Sequence, residues 1–558
     1  MNLHELIQYV LKDLGPSLHA VLPELSLCAA IVLLLLARMI FPTRKTSGLP
    51  YYIALPCALA AFGFLYLEMA SWRQFKSVVV PTPQSIFTGL LVLDSFSIVM
   101  RGLLMLFLLL FVTFTRITGV PNDDDATEFY VMILGATIGL CIMVSANHVL
   151  MVFLGIEMAS VPCYVLAGIL RHRRASSEAA LKYVVFGGAT AGVMLYGLSL
   201  LTGVLGSAHL PTMAQRLADW LGQPAGTMYP WSAQHQATAV VLALGGLMTM
   251  VGLAFKLSAV PFHFWAPDVF EGAPAEVGTF LSIASKAAAV ALLTRLALIF
   301  SGWGLPAADH GFAAVPTMVA VLAPVRFYLA SLIALLAAVT CTFGNLAAYG
   351  QTNIKRLLAY STIAHAGYLM MPVAAAVAMA GDVAHPERSI HAVAALIVYL
   401  SVYLFMNFGA FAVVAFVRNA RGSESIADYA GMVRRSPAVA VAMAIILFSL
   451  VGLPPLAGFS AKFAAFAALL DAKMYLLLII GGLNTVVSLF YYLRVVKVMM
   501  MEAEPQEQPA PDIPLSSVPG VYAVVLAGTM FLFFIRWDIL WTIGRVAGRA
   551  FGQWSAGS

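Results

Sequence analysis

The chain has 558 residues, of which 61% are hydrophobic and only 10% are charged. A soluble domain carries about 25% charged residues, so this composition excludes an ordinary soluble protein. The formal net charge of +5 arises from 31 basic and 26 acidic residues spread along the chain, and it does not indicate a nucleic-acid partner.

Apolar stretches long enough to cross about 30 Å of hydrocarbon, about 20 residues each, recur from one end of the chain to the other. They lie near residues 20 to 42, 50 to 70, 96 to 115, 127 to 147, 149 to 170, 178 to 203, 237 to 260, 275 to 300, 327 to 349, 353 to 378, 390 to 417, 436 to 470, 473 to 500 and 515 to 543. These runs are too long for barrel strands. We therefore predict an all-α, polytopic membrane protein of about fourteen transmembrane helices.

Basic residues concentrate in alternate loops and predict the orientation of the chain. With fourteen crossings, one side carries Arg44, Lys45, Arg171, Arg173, Arg174, Lys355, Arg356, Arg418, Arg421, Arg434, Arg435, Arg494 and Lys497. This side is expected to be the cytoplasm, which puts both termini in the periplasm of a bacterial inner membrane. The long loop from about 204 to 236 lies on the other side.

Two apolar segments are interrupted by proline within the membrane. They read KLSAVPFHFW at 256 to 265 and LVGLPPLAGFSAKF at 450 to 463. Interrupted helices in corresponding positions of two halves indicate inverted repeats with an ion site at the break. Because Pro261 cannot bond back to Leu257, Lys256 is expected to lie about one turn from freed backbone groups.

Five ionisable residues lie inside the predicted spans. They are Glu157, Lys182, Lys256, Lys286 and Lys462. Each costs roughly 2.5 to 3.5 kcal/mol at the centre of a bilayer, so these side chains must be paired, hydrated or both. An acid and several lysines without a nucleophile or metal-ligand motif favour proton relay, because a buried lysine can lose and regain a proton.

Each of these residues also has a structural interpretation. A buried lysine can extend its ammonium group to the membrane interface. This structural interpretation is strongest for Lys182, which is predicted to lie about one turn into its helix. Glu157 can instead bond a fixed buried donor. His263 and His365 are either neutral relay groups or packed, hydrogen-bonded histidines. Asp268, Glu271 and Glu276 are interpreted as turn or helix-start residues, and Lys355 and Arg356 as interface anchors.

The chain is expected to hold no cofactor of its own. Its five cysteines lie in apolar segments without C-x-x-C spacing, so they are interpreted as packing residues rather than as metal ligands. It also lacks a G-x-G-x-x-G turn for a dinucleotide. Nothing at the start of the chain has the pattern of a cleaved signal peptide.

Three motifs carry a family resemblance. KLSAVPFHFWAPDVFEGAP (256 to 274), QTNIKRLLAYSTIAHAGYLMM (351 to 371) and GLPPLAGFSAKF (452 to 463) resemble subunit N of the proton-translocating NADH-quinone oxidoreductase, respiratory complex I. The surroundings of Glu157 are similar too. The resemblance covers roughly 90 to 500. Lys462 favours subunit N over its sister subunit M, which carries a glutamate there, and the short C-terminal tail argues against subunit L.

This resemblance implies a fold and a division of roles. The fold has two inverted five-helix repeats with discontinuous helices, here at 127–301 and 302–500, between a three-helix segment at 1–126 and a C-terminal helix and tail at 501–558. Glu157 and Lys256 would form a pair, followed by the bridging Lys286 and the terminal Lys462. FMN, iron–sulfur clusters, NADH and quinone would be used by partner subunits in the membrane complex.

The sequence departs from the family at two places. Glu276 stands where an uncharged residue is usual, and the 204–236 loop is longer than expected. Two other functions stay open: a subunit of a cation/proton antiporter or membrane-bound hydrogenase with the same fold, and a passive spacer that would tolerate neutral replacement of Glu157 and Lys256. The relay interpretation predicts proton entry near Lys256, transfer past Lys286 and exit by Lys462.

Overall fold

The structure, a computed structural model, describes residues 3–41, 48–74, 83–222, 233–303, 320–382, 384–504 and 510–552. Arg44 and Lys45, which contribute to the predicted orientation, lie outside these residues, as does part of the 204–236 loop. The described residues are largely α-helical, with one short antiparallel hairpin, β1 (Gln84–Ile86) and β2 (Leu91–Leu93).

The first half of the chain forms helices α1 to α12. Their bounds are α1 Leu3–Ala20, α2 Leu22–Ile40, α3 Leu49–Gln74, α4 Ser95–Thr118, α5 Ala126–Ser145, α6 Val149–Ala167, α7 Arg174–Leu205, α8 Leu210–Leu221, α9 Ala233–Leu257, α10 Trp265–Gly272, α11 Ala275–Ser282 and α12 Ala284–Phe300. The Asp94 side chain caps α4 by accepting from the Ser97 amide, which fixes where this helix begins.

The second half forms helices α13 to α21. Their bounds are α13 Ala323–Ala348, α14 Ile354–Met379, α15 Pro386–Arg421, α16 Met432–Arg435, α17 Pro437–Val451, α18 Ala457–Asp471, α19 Tyr475–Met501, α20 Val518–Ile535 and α21 Trp537–Arg549. Short 3-10 turns occupy Ile426–Tyr429 and Ala550–Gly552. The Asn353 side chain caps α14 by accepting from the Lys355 and Arg356 amides.

The predicted number of crossings is confirmed within the described residues. Thirteen helices are long and apolar enough to span a membrane, counting α11 and α12 together as one. The interrupted helix made of α17 and α18 supplies the fourteenth. The all-α polytopic fold, with helices interrupted at the two predicted proline motifs, is likewise confirmed.

Three spans form the centre of the bundle. More than nine-tenths of the most apolar window of α11–α12, α14 and α15 is buried, against 22% for α7 and 33% for α13 and α19. Helix α14 packs against α12 on one side and against α18 on the other. It therefore joins the helices that carry Lys286 and Lys462.

Three amphipathic helices were not predicted. They are α1, α8 within the 204–236 loop, and α21 after the last span. A search for apolar runs of membrane length misses such helices, because their apolar residues lie on one face only. The predicted span 515 to 543 is accordingly two helices, α20 and α21, which meet at Arg536.

The two ends of the bundle differ in charge. One end, called the basic face below, carries Lys355, Arg356, Arg418 and Arg435, together with the bridge that pairs Asn353 with Ser425. The opposite end carries the β-hairpin, α8 and α21. Interrupted helix α9–α10 reaches the basic face with its second part, whereas α17–α18 reaches it with its first part, so the two breaks have opposite directions.

Candidate functional site

The first interrupted helix exposes a backbone carbonyl to a lysine. Helix α9 ends at Leu257, and the turn that contains Pro261 separates it from α10. The Leu257 carbonyl accepts a hydrogen bond of 2.5 Å from Lys286 Nζ, and Lys286 is only 1% exposed. Freed carbonyls at a helix C-terminus carry partial negative charge and favour a cation. The freed backbone predicted near Lys256 therefore binds Lys286 instead.

Lys256 has a different neutral partner. Its Nζ donates to the Ser160 hydroxyl at 2.9 Å, and Ser160 lies one turn beyond Glu157 on α6. Glu157 is half-buried, and no oxygen of Glu157 lies within 4.0 Å of Lys256 in the structure described here. The two groups still interact electrostatically. The predicted pair is thus a near pair, with Ser160 as the direct contact of the lysine.

The second interrupted helix repeats the first contact. Helix α17 ends at Val451, whose carbonyl accepts a hydrogen bond of 2.9 Å from Lys462 Nζ on α18. The Lys462 ammonium also lies 4.5 Å from the centre of the Tyr368 ring. At this distance the face of an aromatic ring attracts a cation. Each break therefore presents a helix C-terminal carbonyl to a buried lysine.

Glycine is required where α17 ends. Gly452 has φ +91°, which side-chain-bearing residues rarely adopt, and a Cβ there would lie 2.9 Å from Lys462 Cδ. Both the sharp chain reversal and the approach of the lysine therefore depend on this glycine.

The two candidate histidines occupy different surroundings. His365 is buried on α14 between the helices of Lys286 and Lys462, and its Nδ1 lies 3.1 Å from the Tyr399 hydroxyl. His263 lies in the first break, and its ring packs against Phe343 with centroids 4.4 Å apart. The structure thus places His365 between two relay candidates and His263 among aromatic rings.

Lys182 lies apart from the other lysines. Its side chain is 38% exposed and pairs with Glu178 at 2.8 Å and Asp268 at 2.6 Å. Asp268 also accepts from Arg356, which bonds Glu271 as well. These contacts form an ion-pair network at the basic face. The geometry favours the interface interpretation of Lys182, although its role in relay stays a prediction.

Two predicted surface residues are buried instead. Lys355 is fully buried, where its Nζ donates to the Ala273 carbonyl at 2.6 Å and pairs with Glu424 at 2.9 Å. Glu276 is also fully buried and accepts two hydrogen bonds, of 2.9 and 3.0 Å, from the Arg418 guanidinium. Both contacts join the α10–α11 region to helices of the other half. Glu276 does stand at a helix start, in the first turn of α11, as predicted, but it is buried rather than solvated. The predicted interface position of Lys355 was wrong, because its partners are remote in sequence.

Most of the buried or nearly buried cations fall into two groups. Arg326, which donates to the Ser301 carbonyl, belongs to neither group, because an arginine does not lose its proton. Arg101, Arg295, Lys355 and Arg418 each contact a carboxylate, from Glu24, Asp94, Glu424 and Glu276 respectively. Among the described residues, Lys256, Lys286 and Lys462 have no carboxylate within 4.0 Å and are held by neutral oxygens. The second group can lose a proton without stranding a contacting anion.

Comparison with known proteins identifies the family. A family model described as NADH:quinone oxidoreductase/Mrp antiporter, TM matches the chain twice, at residues 146–323 and 307–488. NADH-quinone oxidoreductase subunit N 2 of Sorangium cellulosum is 38% identical over 531 residues, covering 92% of this chain and 96% of that protein. Subunit N of an Anaeromyxobacter species is 35% identical, covering 93% and 95%.

A solved structure agrees with these relatives. Within the respiratory complex I of Thermus thermophilus with bound aureothin, one chain superposes with a TM-score of 0.69 at 29% identity, covering 93% of this chain and 98% of that chain. The similarity extends over nearly the whole length of each protein. By sequence and by fold, the chain belongs to the NADH-quinone oxidoreductase subunit N family.

Proposed function

We propose that this chain is a membrane subunit of a NADH-quinone oxidoreductase that translocates protons while partner subunits transfer electrons from NADH to quinone. FMN and iron–sulfur clusters belong to those partners in this proposal. The observation that carries it is the pair of breaks, at which Lys286 and Lys462 are buried and held by helix-terminal carbonyls. Such sites suit a group that must exist both charged and neutral.

The proposed route follows the order of the polar groups. Protons enter near Lys256, which is influenced by Glu157, and pass to Lys286, whose carbonyl partner is the residue after Lys256. They continue past His365 toward Lys462, with waters bridging gaps too long for direct contact. Transfer of one proton against about 180 mV takes roughly 4 kcal/mol, which a change of partner and hydration at a buried lysine can supply.

The repeats and the orientation form part of the same proposal. The family model matches two successive stretches, which supports repeats at about 127–301 and 302–500. The basic face would lie in the cytoplasm of a bacterial inner membrane and both termini in the periplasm, because positive loops are retained inside. The antiporter and hydrogenase alternative has less support, since the relatives cited above at 35–38% identity are named as subunit N.

The test is proton uptake by the reconstituted complex with the Lys286→Ala variant. We expect a large loss of proton uptake per NADH oxidised, while the complex still assembles, because alanine removes a buried charge without stranding a contacting anion. Lys473→Ala, at an exposed lysine, is the matched control and should pump normally. Full coupling in Lys286→Ala would show that the route does not use this axis and would favour the passive spacer.

A further inference from the structure

A row of polar side chains extends from Lys462 toward the basic face. It consists of Tyr368, Cys341, Asn345, Tyr491, Tyr492 and Ser361, all at most 2% exposed. They come from three helices of the second half, α13, α14 and α19. Purely apolar residues would pack this region without the cost of burying polar groups in a membrane. We therefore expect these buried polar side chains to have a function other than packing.

The row begins beside the Lys462 ammonium. Lys462 Nζ lies 4.5 Å from the centre of the Tyr368 ring. The Tyr368 hydroxyl lies 3.3 Å from the Thr485 hydroxyl and interacts electrostatically with the Cys341 side chain. Cys341 Sγ in turn lies 3.6 Å from Asn345 Nδ2, one turn along α13.

The middle of the row is continuous. The Tyr491 hydroxyl donates to Asn345 Oδ1 at 3.0 Å. The Tyr491 and Tyr492 side chains are neighbours, with ring centroids 4.3 Å apart. The Tyr492 hydroxyl then makes a short hydrogen bond with the Ser361 hydroxyl. Three of the five links from Tyr368 to Ser361 are side-chain hydrogen bonds, and the other two join neighbouring side chains.

The direction of the row follows from the position of its ends on α14. This helix begins at Ile354 on the basic face. At a rise of about 1.5 Å per residue, Tyr368 lies about 21 Å from the start of the helix and Ser361 only about 10 Å. The row thus covers about half of the depth between Tyr368 and the basic face.

We propose that this row is the inner part of a proton path that leads from Lys462 toward the basic face. The inference rests on the proposed role of Lys462 and adds a second access point to the route through Lys256 and Lys286. A neutral Lys462 takes up a proton from the row. Each hydroxyl that gives a proton toward Lys462 receives one from the side of Ser361. Water bound to the Asn345 amide carries the proton past this group, which is itself a poor relay.

The path is tested by removing its hydroxyls in the reconstituted complex. Tyr491→Phe combined with Tyr492→Phe cuts two links and keeps the aromatic packing. We expect proton uptake per NADH oxidised to fall about 10- to 100-fold, as for the loss of a positioned proton-transfer group. Tyr522→Phe is the matched control, because Tyr522 donates to the Leu110 carbonyl outside the row.

A pH series separates a path from mere packing. If loading of Lys462 is slowed, lowering the pH at the basic face by about one unit should restore part of the lost uptake relative to Tyr522→Phe. A packing defect would give the same deficit at both pH values, and that result would overturn the proposal. Ser361→Ala, which removes one hydroxyl at the end of the row, serves if the double variant fails to assemble.

Lys462→Ala distinguishes the two proposals. If Lys462→Ala abolishes uptake while the tyrosine double variant and Ser361→Ala pump like the wild type, the path is refuted and the proposed function stands. If Lys462→Ala itself pumps normally, the role of Lys462 in the proposed function fails. Loss of uptake in Lys462→Ala and in the row variants, but not in Tyr522→Phe, supports the path.

Discussion

The Glu276–Arg418 pair gives a quantitative test of how the two halves are held together. Glu276 is fully buried in the first turn of α11, and the side chain of its partner Arg418 is 14% exposed. Glu276→Gln would leave the guanidinium with only a neutral partner. Breaking a buried ion pair costs about 3 to 5 kcal/mol, and we expect the lower end because water reaches Arg418.

The double variant predicts the opposite outcome. Replacing both partners, by Glu276→Leu and Arg418→Met, removes the buried charge together with its counter-charge. Such replacements are often neutral or stabilising, so the double variant should be more stable than Glu276→Gln.

Stability is measured by heating the purified complex and quantifying how much of this subunit stays soluble. At about 2 °C per kcal/mol for a large chain, a loss of about 3 kcal/mol lowers the midpoint by roughly 6 °C. The double variant should lie within about 2 °C of the wild type on the same scale. A midpoint for Glu276→Gln equal to that of the wild type would refute the reasoning. So would a double variant whose midpoint is lower than those of Glu276→Leu and Arg418→Met alone.

Two further predictions concern other contacts. Glu157→Gln and Lys256→Ala should each reduce proton uptake in vesicles, and their combination should be less than additive because the two charges interact; strict additivity would count against coupling. Gly544→Leu should displace α21, since a Cβ there would lie 2.8 Å from the Ala394 carbonyl, and lower the heating midpoint. Gly528→Leu adds a side chain where nothing lies within 4 Å, so it should leave the heating midpoint unchanged. Equal midpoints for the two variants would contradict the close packing of Gly544 against Ala394.

The sequence predicted the features that depend on local composition. Apolar run length identified the fourteen crossings, and proline inside an apolar run identified both breaks, because each signal is contained in about 20 consecutive residues. Buried position was likewise predictable for Lys256, Lys286 and Lys462, which have apolar neighbours toward both ends. Lys182 was predicted to lie about one turn into its helix and lies about two turns into α7; the ambiguity of its role matches the partly exposed ion pairs that it forms in the structure.

The partners of these residues could not be predicted. Lys286 binds the carbonyl of Leu257, and a backbone acceptor has no sequence signature. Ser160, the partner of Lys256, could have been suspected because it lies one turn from Glu157 on the same helix. The contacts of Glu276 with Arg418 and of Lys355 with Ala273 join positions that are remote in sequence. Such contacts depend on the packing of whole helices.

The chemistry of the partner separates the proposed relay lysines from the structural cations in this bundle. A carboxylate at about 4 Å stabilises the charged form of its partner by roughly 4 kcal/mol at an effective dielectric of 20. A neutral hydrogen-bond acceptor contributes only about 0.5 to 1.5 kcal/mol. The contact with Glu424 therefore favours the charged form of Lys355 more strongly than the Leu257 and Val451 carbonyls favour those of Lys286 and Lys462.

This difference also explains why both breaks are needed. An uninterrupted helix has no free carbonyl in the middle of the membrane, so a lysine there needs a side-chain acceptor, as Lys256 has in Ser160, or water. A carboxylate contact would lock its charge, and bulk water would open a leak across the membrane. The carbonyls of Leu257 and Val451, freed where α9 and α17 end, hold Lys286 and Lys462 in place and favour their charged forms less strongly than a carboxylate would. A proton can then leave or return when a neighbouring charge changes, as transfer along the axis requires.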